Sequence, residues 1–173
     1  MNQPRDLAFG WNLSAKHLQA IGEVAVRWSA LEFTISWLIW EFADLPGSLG
    51  WAITAHLSER TRVDICNSLA FEVLGDTALT GELRTHLNFI ITTVYPKRNK
   101  FVHSRWGASM SSRDKSEVQT VKARGKVTIG SEQFTSDDIL VVAKDIFDAN
   151  EKLVNIRSQI RPLLYALSNR RGV

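Results

Sequence analysis

The sequence predicts an all-α fold: an antiparallel bundle of about four main helices, with a β-hairpin inserted before the last one. Three observations predict it. Apolar residues recur at helical spacing over most of the chain. That period lapses in one region, between roughly residues 104 and 135, where strand-like alternation takes over. Capping residues, Gly and Pro fall where the periodic stretches begin and end. The 173 residues suffice for one domain with a substantial core and are too few for two, so residues 1–173 read as a single helical domain.

Residues up to about Asn12 read as an irregular lead-in, with Asn12 or Ser14 capping the first helix. From there to about Asp44, Leu18, Ile21, Val24, Ala25, Trp28, Leu31, Ile35, Leu38, Ile39 and Phe42 form one apolar stripe. Val26, Ala30, Phe33, Trp37 and Trp40 form a second, and a helix apolar on two faces is either central or shared with a partner. Leu45-Pro46-Gly47 ends it. A short helix is expected from Trp51 to His56 and a longer one from Ser58 to Leu74, closed by Gly75 as a C-terminal cap. Asp76, Thr77 or Thr80 opens the next helix, which turns Leu83, Leu87, Ile90, Ile91 and Val94 inward. Pro96 lacks an N–H and crowds the carbonyl four residues back, so a kink or break is expected there. After Trp106 come a polar loop, Met110 to Ser116, a strand from Val118 to Ala123 and a shorter one from Lys126 to Ile129; Arg105 to Ala108 pairs with the first of these. Thr135 and Asp138 form a variant capping box for the last helix, with Ile139, Val142, Ile146, Ala149, Leu153, Ile156 and Ile160 along one face. Pro162 should bend or interrupt it.

Composition narrows the function classes. The apolar and charged fractions are those of an ordinary globular protein. The one cysteine, Cys66, excludes an internal disulfide framework and a multi-cysteine zinc site, and fits a reducing, cytoplasmic setting. Met1 to Asp6 has no basic-then-apolar signal pattern, and the richest apolar run, Ile35 to Trp40, is bounded by Glu32 and Glu41, so no membrane span is expected. A net charge of +3 permits nucleic-acid binding without arguing for it. There is no Gly-rich phosphate loop and no nucleophile elbow, which leaves a catalytic-triad hydrolase a distant third reading.

The stretch that carries chemistry is Arg98-Asn99-Lys100-Phe101-Val102-His103, at the end of a helix. A guanidinium can clamp a phosphate in a fork of donors, and an imidazole can carry a proton near neutrality. Basic residues in that place also complement the helix dipole and cap its carbonyls. On an ideal helix, residues five apart differ by about 140° in direction, so Arg98 and His103 need a distorted turn or the reach of the arginine to meet. Asn99 and His103, four apart, share a face.

This stretch resembles the Arg-polar-x3-His motif of the HEPN superfamily, small helical-bundle proteins. Arg98, Asn99 and His103 fall on its three defining positions, and Val26-Arg27-Trp28-Ser29-Ala30-Leu31-Glu32-Phe33 looks like the first long helix of bacterial members. The resemblance implies a metal-independent endoribonuclease without a cofactor. His103 would act on the ribose 2′-hydroxyl next to the scissile phosphate, Arg98 would hold that phosphate, and Asn99 would orient one of the two. It implies a homodimer with a site built from two facing motifs, an RNA substrate, and a place in toxin–antitoxin or phage-defence systems beside an antitoxin or nucleotidyltransferase-like partner. The family also contains non-catalytic dimeric nucleotide-binding or protein-interaction modules. The intact motif favours the enzyme; the modest charge favours the module.

Further candidates carry two readings each. Lys97 and Lys100 flank the motif as substrate contacts or as dipole-complementing cations. Trp106 either stacks a base or packs the hairpin on the bundle. Glu32, in line with the main stripe of the first helix, either contacts Arg98 or the substrate, or makes a structural ion pair with Arg27, Arg60 or Arg62. Arg113, Lys115, Lys122, Arg124 and Lys126 either track an RNA backbone or solvate an exposed hairpin. His17, His56 and His86 read as surface or internally satisfied histidines, and Asp145 and Asp148 as a solvated face.

Overall fold

A computed structural model of the chain describes residues 13–108, 114–124 and 126–170. The protein is mostly helical with one small antiparallel sheet. Helix α1 spans Ala15–Phe42, and the choice of cap falls on Ser14, whose Oγ accepts from His17 N at 3.3 Å. Asn12 lies outside the described residues. The helix stops where Asp44 takes a positive φ of 50° and Leu45 N–H reaches back to Trp40 O at 2.9 Å.

Helix α2, Gly47–Thr54, starts four residues before the expected Trp51. Pro46 precedes it, where its missing N–H costs no helical bond, and Gly50 lets α2 lie flush on Trp40. A Cβ at Gly50 would sit 2.5 Å from that indole ring. Helix α3, Glu59–Leu74, is capped by Ser58 and closed by Gly75 at φ 73°, a backbone region nearly confined to glycine. Thr77 caps α4, Ala78–Phe89.

The effect expected of Pro96 appears one turn earlier than it does in a simple kink. Ile90–Val94 forms a π-helical turn, in which Tyr95 N–H bonds Ile90 O, and α5 follows directly over Tyr95–His103. Pro96 has no N–H for the carbonyl of Thr92, and the wider register lets the chain continue without a break.

The insertion is a three-stranded sheet, not a simple hairpin. Strands β1 (Arg105–Ala108), β2 (Ser116–Arg124) and β3 (Lys126–Phe134) pair antiparallel in that order. Trp106 faces Val118, and Val118 faces Glu132. The third strand runs five residues past Ile129, through Gly130-Ser131-Glu132-Gln133, which have no apolar alternation. Backbone pairing to Glu117–Thr120 carries them instead. Arg113 lies outside the described residues, as do the side chains of Lys122, Arg124 and Lys126.

The last helix, α6, spans Ser136–Arg170 and is not interrupted at Pro162. Pro162 and Ser158, the residue whose carbonyl it deprives, are both exposed, so the freed carbonyl is on the solvent side. Its start is the capping box: Asp138 Oδ2 accepts from Thr135 N at 2.8 Å, and Asp138 N donates to Thr135 Oγ1 at 3.1 Å. Trp28, Leu31, Leu38, Leu83, Leu87, Ile146, Leu153 and Ile156 fill the core between α1, α4 and α6. Buried polar bonds cross the same helices: His86 Nε2 meets Ala149 O at 2.8 Å, and Thr34 Oγ1 donates to Asn150 Oδ1 at 2.7 Å. Of the second stripe of α1, Trp40 is covered by α2, while Val26, Phe33 and Trp37 stay exposed. No helix among the described residues is long and apolar enough to cross a membrane.

Candidate functional site

The motif occupies α5, and the π-helical turn above it sets its direction. Arg98 Nη1 donates to Asn99 Oδ1 at 2.9 Å and meets His103 Nε2 at 2.6 Å. Because a guanidinium only donates, Nε2 must be the acceptor, which assigns the proton of the neutral ring to Nδ1. The three motif side chains are therefore in one hydrogen-bonded group despite their angular separation. Arg98 and Asn99 are half-buried and His103 is exposed.

Arg98 leans on α1. Its guanidinium carbon lies 5.5 Å from the centre of the Trp28 ring, a cation over an aromatic face. Trp28 in turn lies 5.6 Å from the Tyr95 ring. Arg98 Nε and Trp28 Nε1 are buried without a hydrogen-bond partner among the described residues.

Behind this layer sit two carboxyl groups. Glu32, from α1, accepts from Arg62 Nη1 at 3.2 Å, the structural ion pair that the sequence allowed, and Arg62 Nη2 donates to Thr54 O at 3.1 Å. Nearby, Tyr95 Oη donates to Oε2 of Glu59, at the first turn of α3, at 3.3 Å. Burial pushes the Glu32 carboxyl above its ordinary range against the pull of Arg62, and the Glu59 carboxyl adds to the rise. Burial also opposes ionisation of Glu59. There it is outweighed by the backbone N–H at the helix start, by the neighbouring Glu32 carboxyl, by the hydrogen bond from Tyr95 and by the charge of Arg98, so Glu59 lies below its ordinary range.

The remaining candidates point elsewhere. Lys97 pairs with Asp145 of α6 at 2.7 Å. Lys100 pairs with Glu132 of β3 at 2.5 Å and lies over the Phe134 ring. Trp106 is 7% exposed; its Nε1 donates to Phe101 O at 2.8 Å and its ring stacks on Phe101, so it packs the sheet on the bundle and offers no open face to a base. His17 is held between Ser14 Oγ and Phe134 O, and His86 by Ala149 O, so both are internally satisfied. Cys66 is fully buried and its thiol is pushed up to about 12, which makes it an inert core residue. Among the described residues no three His, Cys, Asp or Glu side chains gather as metal ligands.

Glu59, Tyr95 and Trp28 did not stand out as site residues in the sequence. Trp28 reads as core, Glu59 as an acidic residue complementing a helix N-terminus, and Tyr95 as the neighbour of a helix-breaking proline. Trp28 meets Arg98 and Tyr95 through the packing of α1 on α5, and Glu59 meets Tyr95 through the packing of α3 against the turn at residues 90–95. No protein-family model, curated protein or solved structure matches the chain.

Proposed function

We propose that the protein is a metal-independent endoribonuclease of HEPN type. One observation carries the reading: the 2.6 Å contact between Arg98 Nη1 and His103 Nε2, which joins a phosphate clamp to a proton-transfer group. His103 Nε2 takes the proton of a ribose 2′-hydroxyl once RNA displaces the arginine contact. The 2′-oxygen attacks the adjacent phosphorus, the bond to the 5′-oxygen breaks, and the proton held by His103 passes through solvent to that oxygen, leaving a 2′,3′-cyclic phosphate and a 5′-hydroxyl on the leaving strand. Arg98 bridges the phosphate oxygens and stabilises their growing charge. Asn99, bonded to Arg98, fixes the guanidinium plane.

Helices α1, α3, α4 with α5, and α6 form the antiparallel four-membered bundle of this reading, and two copies assemble with their motifs facing one cleft. The setting is the cytoplasm, in a toxin–antitoxin or phage-defence role with an antitoxin or nucleotidyltransferase-like partner. The pairing of Lys97 and Lys100 with Asp145 and Glu132 favours a second reading, since it lowers the free positive charge beside the motif. On that reading the protein is a dimeric nucleotide-binding or protein-interaction module. The deciding experiment is purified protein with labelled single-stranded RNA in chelator, with product ends mapped. Cyclic-phosphate ends that vanish in His103→Ala support the nuclease; a dimer that cuts no RNA supports the module.

A further inference from the structure

We propose that Trp28 is the positioning residue of the motif: its buried ring seats the Arg98 guanidinium, and Tyr95 braces that ring from α5. The effect on rate rests on the ribonuclease reading; the seating of Arg98 does not.

The seat is built by register. Tyr95 and Arg98 are three residues apart in α5, so they share one helix face. That face meets α1 at Trp28. The guanidinium carbon of Arg98 lies 5.5 Å from the centre of the Trp28 ring, and the Tyr95 ring lies 5.6 Å from it at 34°. The π-helical turn sets this register, because the bond from Tyr95 N–H to Ile90 O leads straight into α5. Tyr95 is held in turn from α3, where its Oη donates to Glu59 Oε2 at 3.3 Å.

Burial distinguishes this contact from other arginine–ring pairs of the molecule. Arg157 lies over Trp37 and Arg27 over Phe147, but those rings are 40% and 46% exposed. Trp28 is 1% exposed, and a cation over a ring gains most where water is excluded. Arg98 Nε is buried as well and has no hydrogen-bond partner among the described residues. The hydrogen bonds of Nη1 go to Asn99 and His103, both residues of its own helix. A direct contact to a second helix is made by the Trp28 ring. The ring thus holds the inner end of the side chain while Nη1 meets the exposed His103.

The aromatic face should therefore matter beyond its bulk. Trp28→Phe keeps such a face, whereas Trp28→Leu keeps an apolar core residue and removes it.

The test is NMR of the full chain labelled with 15N-arginine, with Arg98→Lys assigning the Arg98 Nε–H signal. The ring current of Trp28 should place that signal upfield of those of exposed arginines. Trp28→Phe should reduce the displacement and Trp28→Leu should abolish it. Urea unfolding reads the coupling between the two residues. Trp28→Leu should lower the midpoint less in an Arg98→Ala background than in the parent, since the seat then has nothing to hold; a residue that only fills the core would cost the same in both. In the RNA assay Trp28→Leu should lose about tenfold or more in kcat with KM changed less, and Trp28→Phe should recover most of that loss. Should Trp28→Leu not fold, Tyr95→Leu removes the brace from a half-buried position and should move the Arg98 signal in the same direction by less. A parent Arg98 signal among those of exposed arginines, a signal unmoved by both Trp28→Phe and Tyr95→Leu, or equal midpoint shifts in the two backgrounds overturns the proposal. If the NMR and unfolding responses appear and the parent cuts no RNA, the seating stands and the nuclease reading is the one that fails.

Discussion

Arg98 directs one terminal nitrogen at both Asn99 and His103, so its role should depend on the fork and not on charge alone. Arg98→Ala should lower RNA cleavage by roughly two to three orders of magnitude, the scale of losing an aimed donor at a developing charge. Arg98→Lys should recover little of that, because an ammonium keeps the charge but cannot bridge two oxygens in a plane. His103→Ala should cost about two to four orders of magnitude, and Asn99→Ala less than either; single-turnover cleavage rates rank the four. A second prediction concerns His86, which has no part in the site. Burial against α6, assisted by Lys152, lowers its pKa below the ordinary 6.5, although the bond to Ala149 O and the charge of Glu82 oppose this. The unfolded chain therefore takes up the proton first as pH falls, and its gain destabilises the fold. The His86 contribution should be constant above about pH 6.5 and drain away below it, down to the folded-state value. Denaturant midpoints measured from pH 8 to 5 should show that slope, and His86→Gln should flatten it.

Two helical elements contain residues whose effect only the packing explains. Gly50 of α2 faces the ring of Trp40, whose Nε1 is pinned to Thr54 Oγ1 at 3.1 Å and cannot easily give way. Gly50→Ala should destabilise by about 1–3 kcal/mol, as overpacking does. Pro162 acts in the opposite sense: it lies inside a continuous α6 on an exposed side, so Pro162→Ala should restore a helical bond and stabilise by up to about 3 kcal/mol, read from urea unfolding. Periodicity and caps make most elements legible in the sequence. The Thr135–Asp138 pair caps α6 as expected, Thr77 is the one of three candidates that caps α4, and Ser58, expected as the first residue of α3, caps it, because capping is a local bond between neighbours. The start of α2, the length of β3 and the passage of α6 through Pro162 are not legible there, since each depends on a partner distant in sequence or on which side faces water. The candidate site divides in the same way. Arg98, Asn99 and His103 are visible as a spacing, whereas Glu59 meets Tyr95 only through the packing of α3 on the π-helical turn.

At the scale of the whole molecule the unexplained feature is the apolar row left on α1 and α6. Val26 is 71% exposed, Trp37 40%, Phe147 46% and Val154 39%. Some of this surface is partly screened, since Arg157 lies 3.8 Å from the centre of the Trp37 ring and Arg27 lies 5.2 Å from that of Phe147. Exposed apolar side chains on two neighbouring helices are the kind of surface that a partner covers. Both flanks of the motif rest on these two helices, Arg98 on Trp28 of α1 and Lys97 on Asp145 of α6. A two-fold pairing across α1 and α6 would cover the row. Light scattering at micromolar concentration should give twice the 19.5 kDa of one chain. Val26→Glu is the sharper variant, because a residue so exposed contributes little to the core, and it should yield a monomer with unchanged circular dichroism. Trp37→Glu should do the same with some loss of stability, because the Arg157 contact goes with it. If cleavage needs two motifs, the Val26→Glu monomer should lose activity while keeping its fold. A parent protein that stays monomeric up to about a hundred micromolar, a range where even weak specific pairs associate, would remove the two-copy site and leave any activity to a single motif.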